Sequence, residues 1–207
     1  KGIYRVTLRG YNNTHPEGIS VTVDIEVGTP VAYVSAASSN PTPPYSTWAT
    51  AAQSIQEAVD TMTVPGAIIL VTNGIYASGG RVLSGLNRVA VDRPIIVRSV
   101  NGPAVTIIEG YQVPGTKLGP AAIRCVYLTN GAVLSGFTLR GGATTDLLSA
   151  REREQSGGGI NCASILAMVT NCVIRDNAAY SCGGGTYLGT LINCTLAGNS
   201  ANDFGGG

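Results

Sequence analysis

The chain has 207 residues, of which 12% are charged, and a formal net charge of +1. That balance excludes an electrostatic nucleic-acid binder, which needs a basic stripe, and it offers no broad attractor for anionic substrates. With 28 glycines but only 2 Phe and 1 Trp, the core must be built from small and β-branched side chains rather than from aromatics.

Residues 1–28 are predicted to form a β-hairpin. Ile3-Tyr4-Arg5-Val6-Thr7-Leu8-Arg9 and Ile19-Ser20-Val21-Thr22-Val23-Asp24-Ile25-Glu26-Val27 alternate apolar with polar residues, which gives a hairpin with one polar face. Asn12 to Gly18 reads as a turn-rich loop. It carries His15, which is far in sequence from any acidic partner and receives no catalytic role. A hairpin alone is marginal in water, so this one calls for a partner surface. Gly2-Ile3-Tyr4-Arg5-Val6-Thr7-Leu8 resembles the G-x-Y-x-V-T-L pattern of the last strands of immunoglobulin-like or PKD modules. The resemblance implies either the end of such a module or strands exchanged with another chain. Lys1 opens inside a strand-like pattern, so the chain reads as a mature or trimmed piece.

Residues 29–66 are read as a joint at Thr29-Pro30, a short strand at Val31–Ser35, a stiff Pro-rich loop over Ser38–Pro44, and one helix from about Thr47 to Thr61. Trp48, Ala52, Ile55, Val59 and Met62 recur at helical spacing and form one apolar stripe. Ser46 or Thr47 is the expected N-cap, and Pro65-Gly66 the expected stop. A helix of this kind ahead of a run of strands is a natural cap over an open apolar end.

From residue 67 onward short β-branched runs follow one another. They are Ala67–Val71, Asn73–Tyr76, Arg81–Leu83, Val89–Val91, Pro94–Ser99, Val105–Gly110, Ala122–Leu128 and Ala132–Leu139, each bounded by Gly, Asn or Pro. The last third then repeats itself. Glycine triplets begin at Gly157, Gly183 and Gly205, and Thr170-Asn171-Cys172-Val173-Ile174 returns 22 residues later as Ile192-Asn193-Cys194-Thr195-Leu196. A period of this length is one coil of a solenoid. Stacking the coils predicts an inward column of Phe137, Cys172 and Cys194 and another of Leu139, Ile174 and Leu196. Asn177 and Asn199 are placed at left-handed turn positions, with their amides in a ladder, and the glycine triplets at corners with no room for a Cβ. The five cysteines show no zinc spacing and read as small core hydrophobes, with disulfides or metal ligands as the alternative. Cys125 and Cys162 are expected to stack as a pair, and Cys182, at a turn, to be the most exposed.

Ile69-Leu70-Val71-Thr72-Asn73-Gly74-Ile75-Tyr76 and the stretch from Pro94 to Gly110 resemble the opening coils of right-handed parallel β-helix proteins of the pectin-lyase-like superfamily. The Gly-Gly-Gly and Asn-Cys coils are similar to repeats of large bacterial surface proteins, including polymorphic outer-membrane proteins. The resemblance covers about residues 31–207. It implies an all-β chain: a right-handed parallel β-helix (solenoid) over 67–207, an N-terminal amphipathic cap helix within 29–66, and an N-terminal β-hairpin at 1–28.

Lyases of that superfamily share a cluster of acidic Ca²⁺ ligands with a nearby Arg or Lys base, and its hydrolases share closely set carboxylates. Here the 12 acidic residues are scattered, with Asp92 and Glu109 in early coils and Asp176 and Asp203 at later turns, and no D-x-D or D-D pair occurs. No catalytic, cofactor-binding or metal-ligating residue is therefore assigned, and no cofactor. The insertion Thr144–Ser156 carries Arg151-Glu152-Arg153-Glu154 and reads as a solvated loop that balances its own charge. Tyr76, Tyr111, Tyr127, Tyr180 and Tyr187 are candidates for stacking on sugar rings. The expectation is a non-catalytic, extracellular structural solenoid of the cell-surface, adhesin or fibre type. Its expected partners are further copies of itself, head to tail through the last coil at Gly207, or other surface proteins. The alternative is a polysaccharide lyase or hydrolase, or a carbohydrate-binding module. No apolar run reaches the ~20 residues of a membrane span.

Overall fold

The computed structural model describes residues 2–206. The last glycine of the third triplet, Gly207, and the opening Lys1 lie outside the described residues. Cα packing divides the chain into residues 1–30 and 31–207, and each unit is described by itself.

The first unit is an antiparallel hairpin of β1 (Gly2–Asn12) and β2 (His15–Val27). The connection is only Asn13-Thr14, shorter than the seven-residue loop expected from composition. The Asn12 side-chain oxygen accepts from the backbone N–H of Thr14 and of His15, at 3.0 and 2.8 Å. One side chain thus closes the turn, and Pro16, Glu17 and Gly18 are released into β2. The pairing sets Arg5 opposite Asp24 and Thr7 opposite Thr22 on one face, joined at 2.8 and 3.0 Å. The other face carries Tyr4, Val6 and Leu8 opposite Ile25, Val23 and Val21, all exposed.

The second unit is built of short strands, with one α-helix among the described residues. Three larger sheets lie side by side, their strands parallel except for the edge strand Arg81–Val82, and a two-stranded parallel pair joins Ala178–Ala179 with Ser200–Ala201. β3 (Val31–Val34) is followed by a 3-10 turn at Trp48–Thr50 and helix α1 (Ile55–Thr61). Then come β4 (Ile68–Val71) and β5 (Gly74–Tyr76). β6 (Arg81–Val82) turns antiparallel onto β7 (Leu86–Val91), and β8 (Ile96–Ser99) and β9 (Thr106–Glu109) follow. The next passage is β10 (Arg124–Leu128), β11 (Val133–Ser135) and β12 (Thr138–Arg140). After it run β13 (Ile160–Cys162), β14 (Met168–Thr170), β15 (Val173–Arg175) and β16 (Ala178–Ala179). Last are β17 (Thr186–Tyr187), β18 (Thr190–Ile192), β19 (Thr195–Ala197) and β20 (Ser200–Ala201).

The chain visits the three sheets in turn. The first sheet orders β7, β10, β13 and β17; the second β3, β4, β8, β11, β14 and β18; the third β5, β9, β12, β15 and β19. Inner side chains of all three, together with Ile55, Ala58 and Val59 of α1, share one hydrophobic core. The predicted columns are present. Leu139, Ile174 and Leu196 are in register, and Phe137, Cys172 and Cys194 occupy the preceding position on successive strands.

Several expectations are corrected. Ala132–Leu139 is two strands in different sheets, because Gly136 turns with φ +81° between them; Asn171 and Asn193 do the same one and two passages later, at φ 53° and 52°. The left-handed residue at the following corner is Asp176, with Gly141 and Gly198 at the equivalent places, rather than Asn177 or Asn199. This frees Asn177 to turn inward. Its Nδ2 donates to Asn199 Oδ1 at 2.9 Å and to the Leu139 carbonyl at 3.1 Å, so the ladder is real but begins one residue after the kink. Cys125 and Cys162 do not stack: Cys162 is in register with Leu128 and Ile160 with Val126. Aligning the two cysteines would be an odd shift and would turn every side chain of β13 to the wrong face. The glycine corners are as tight as expected, since a Cβ on Gly158 or Gly184 would lie 2.1 or 2.2 Å from a carbonyl oxygen of Ala178 or Ser200.

The helix is half its expected length and starts eight residues later. Ser54, not Ser46 or Thr47, is the N-cap: its side chain accepts from Glu57 N–H at 3.3 Å while Glu57 accepts from Ser54 N–H at 3.1 Å. The capping box outcompetes continuation of the periodic stripe. Trp48 is left in the 3-10 turn, exposed, with its ring edge-on to Tyr33 at 4.6 Å. At seven residues α1 is too short to be stable by itself, so its packing holds it. It ends at Thr61, before Pro65-Gly66.

Candidate functional site

The insertion at 144–156 is not a detached solvated loop. Its 3-10 turn at Glu152–Gln155 folds back onto β10, and Thr144, Gln155 and Ser156 are buried. The cause is Arg124, which is fully buried with no carboxylate partner among the described residues. Its Nε donates to the Gly157 carbonyl at 2.7 Å, and Nη1 donates to Asn87 Oδ1 at 2.7 Å and to the Ser84 carbonyl at 3.1 Å. Nη2 meets the carbonyls of Ser156, Glu154 and Arg153 at 2.9, 3.2 and 3.4 Å. Every N–H of the guanidinium is thus spent on the end of the insertion with the following Gly157, on the Asn87 side chain of β7 and on the turn before it. Burial pulls its pKa down to about 10, so the charge survives at neutral pH because six oxygens surround it.

Beside this clamp lies a hollow of about 280 Å³, walled by Leu86, Pro120, Ala122, Ala143 and Leu147, with Thr145 and Ser149 among its polar lining. A second, wider hollow of about 390 Å³ lies where the third sheet turns toward the first. Arg88, Glu109, Tyr111, Gln112 and Gly141 line it. Arg88 Nε donates to the Glu109 carbonyl at 2.8 Å, and its other nitrogens bond the Gly79 and Gly110 carbonyls. Burial lowers the Arg88 pKa. Arg140 holds the Glu109 carboxylate at 3.0 Å. Gln112 Nε2 donates to the Asp176 carbonyl at 2.8 Å, and the Tyr111 ring stands exposed at the rim.

The acidic residues singled out from sequence stay apart and are individually engaged. Asp92 pairs with Arg93 at 2.7 Å, Glu109 with Arg140, Asp176 with Arg175, and Asp203 accepts from the Ser181 hydroxyl at 2.9 Å. Among the described residues no group of three or more His, Cys, Asp or Glu is placed to hold a metal ion. Tyr76 and Tyr127 are buried, Tyr180 and Tyr187 half-buried, and Tyr111 alone of the five tyrosine candidates is exposed. Burial raises the Tyr76 hydroxyl to about 12. His15 lies in the hairpin, where Thr14 Oγ1 meets its ring nitrogen at 3.2 Å.

The arginines that shape both hollows, Arg88 and Arg124, escaped sequence reasoning. The available signal was a charged residue inside an otherwise apolar strand run. All five cysteines are free: Cys125, Cys162 and Cys172 are buried, and Cys182 and Cys194 are half-buried. Among the described residues no helix is long and apolar enough to cross a membrane. No family model matches this chain, and neither a curated protein nor a solved structure matches it.

Proposed function

We propose that residues 31–207 form a right-handed parallel β-helix of the pectin-lyase-like kind, and that the protein is a non-catalytic structural element of an extracellular or cell-surface assembly. The observation that carries this reading is the register. Leu139, Ile174 and Leu196, the Asn177–Asn199 amides and the glycine corners recur in column from one passage to the next. Such stacking makes a stiff, extendable scaffold whose stability is a sum of neighbour contacts. The polar groups support the same reading, because the arginines and carboxylates are spent on holding corners, caps and the insertion. A crystal structure of purified residues 31–207 tests the architecture: one continuous right-handed coil supports it, and sheets that share no common winding overturn it. Fractionation of the native cells tests the surface location, and recovery only from the cytosol would remove it.

A second reading, a carbohydrate-binding surface, is favoured by one feature: exposed Tyr111 beside the Glu109–Arg140 pair in an open hollow. Aromatic faces stack on apolar sugar faces while charged pairs bind hydroxyls. Screening neutral and acidic polysaccharides with and without Ca²⁺ separates the readings. Binding lost at least tenfold in Tyr111→Ala supports the second, and turnover of any polysaccharide overturns the non-catalytic assignment.

A further inference from the structure

Two thiols serve neither reading. Cys172 and Cys194 occupy the residue before β15 and before β19, which are parallel neighbours with Val173 opposite Thr195. The Thr195 N–H donates to the Cys172 carbonyl at 2.9 Å, so the backbones are locked level at this position. Level residues on adjacent parallel strands sit about 4.8 Å apart, inside the Cα window of about 4.4–6.8 Å that a disulfide needs. Both side chains join the same core. Cys172 Sγ donates to the Thr170 carbonyl at 3.2 Å, and Cys194 Sγ lies 3.4 Å from the carbonyls of Val169 and Ile192. The other cysteines lack this arrangement: Cys125 and Cys162 are out of register, and the Cys182 sulfur faces Glu152 at 3.8 Å.

We infer that Cys172 and Cys194 are a redox-active thiol pair whose oxidation staples two successive passages of the chain together.

The chemistry is asymmetric. Cys172 is almost completely buried, and the neighbouring Cys194 together with burial raises its pKa; the interaction with Cys172 lowers that of Cys194, which is only half-buried and so the more accessible sulfur. Cys194 is therefore the attacking thiolate. With a small disulfide such as oxidised glutathione as oxidant, Cys194 sulfur attacks one glutathione sulfur. The glutathione S–S bond breaks, and one glutathione thiolate leaves and takes up a proton. Cys172 then loses its proton and attacks the Cys194 sulfur of the mixed disulfide, forming the Cys172–Cys194 bond and releasing the second glutathione. Two thiols are oxidised and one disulfide is reduced.

The test uses the full 207-residue chain, reduced and then incubated with oxidised glutathione at neutral pH. The free-thiol count should fall from five to three, and non-reducing peptide mapping should join the Cys172 and Cys194 peptides. The Cys172→Ala variant should instead hold a glutathione adduct at Cys194, because the resolving thiol is gone. Cys194→Ala should leave Cys172 unreacted. The oxidised wild type should melt about 5–10 °C above the reduced form, from closure of the intervening loop. A wild-type chain that keeps all five thiols, keeps a stable adduct at Cys194, or joins Cys194 to another cysteine would overturn the inference.

Discussion

Arg124 illustrates how a single residue can decide the form of a segment far from it in sequence. A guanidinium with no carboxylate nearby is costly to bury, and the insertion answers that cost by turning four backbone carbonyls, those of Arg153, Glu154, Ser156 and Gly157, toward it. Lysine has three donors on a point charge and cannot reproduce the planar fork. Arg124→Lys and Arg124→Met should therefore both destabilise the protein, on the order of 3 kcal/mol, with no rescue by the conserved charge. Thermal melts should show a fall of about 6–12 °C, with faster proteolysis within 144–156; an Arg124→Lys protein that melts like wild type would contradict the account. Asp92 provides the pH-dependent case. The hydrogen bond from Arg93 lowers its pKa below the ordinary 3.8. A depressed carboxylate pKa contributes stability in full above the unfolded value and loses it as the pH falls through the folded one. The pair is about a third exposed, so the contribution is less than about 1 kcal/mol. Asp92→Asn should melt slightly below wild type at pH 7, and the gap should close as the pH is lowered below 3.8.

At the scale of elements, α1 works through one polar side chain as well as its apolar face. Gln56 Oε1 accepts from Ala90 N–H at 2.8 Å and Gln56 Nε2 donates to the Ala90 carbonyl at 3.3 Å. The amide supplies what a neighbouring strand would supply to β7, and so covers a free sheet edge. Gln56→Leu keeps the volume and removes both bonds. It should cost about 1–3 kcal/mol, and amide hydrogen exchange at Ala90 should speed up markedly while exchange in β14 and β15 stays unchanged. The helix itself was legible in sequence only in outline. The apolar stripe puts Ile55, Val59 and Met62 on the buried side, but it runs back through Ala52 and Trp48 into what is a separate 3-10 turn. Periodicity is blind to a capping box that begins inside it.

For the whole of the second unit, every residue of the two hydrophobic clusters falls within 31–207. Residues 31–207 expressed without the hairpin should accordingly fold and melt cooperatively, as followed by circular dichroism; a non-cooperative, dye-binding product would show that this core is insufficient. The columns also predict where damage spreads. In a stacked chain each passage is held by its neighbours, so lesions at one corner should loosen adjacent passages before distant ones.

The repeating part is legible from the amino-acid order alone. Glycine corners, inward columns and the amide ladder follow from a 22-residue period, because equivalent residues on parallel strands must lie beside one another. The same order also shows the polar and apolar faces of the hairpin, since alternation alone assigns them. The aperiodic contacts are set by long-range packing. The register of Cys162 on Leu128, the left-handed turn at Asp176 rather than Asn177, and the fold-back of 144–156 onto Arg124 all depend on partners distant along the chain. The physical reason is the same in each: a repeat encodes neighbour geometry locally, whereas the satisfaction of a buried charge or of a strand's inner face is a sum over groups that meet only once the chain has folded.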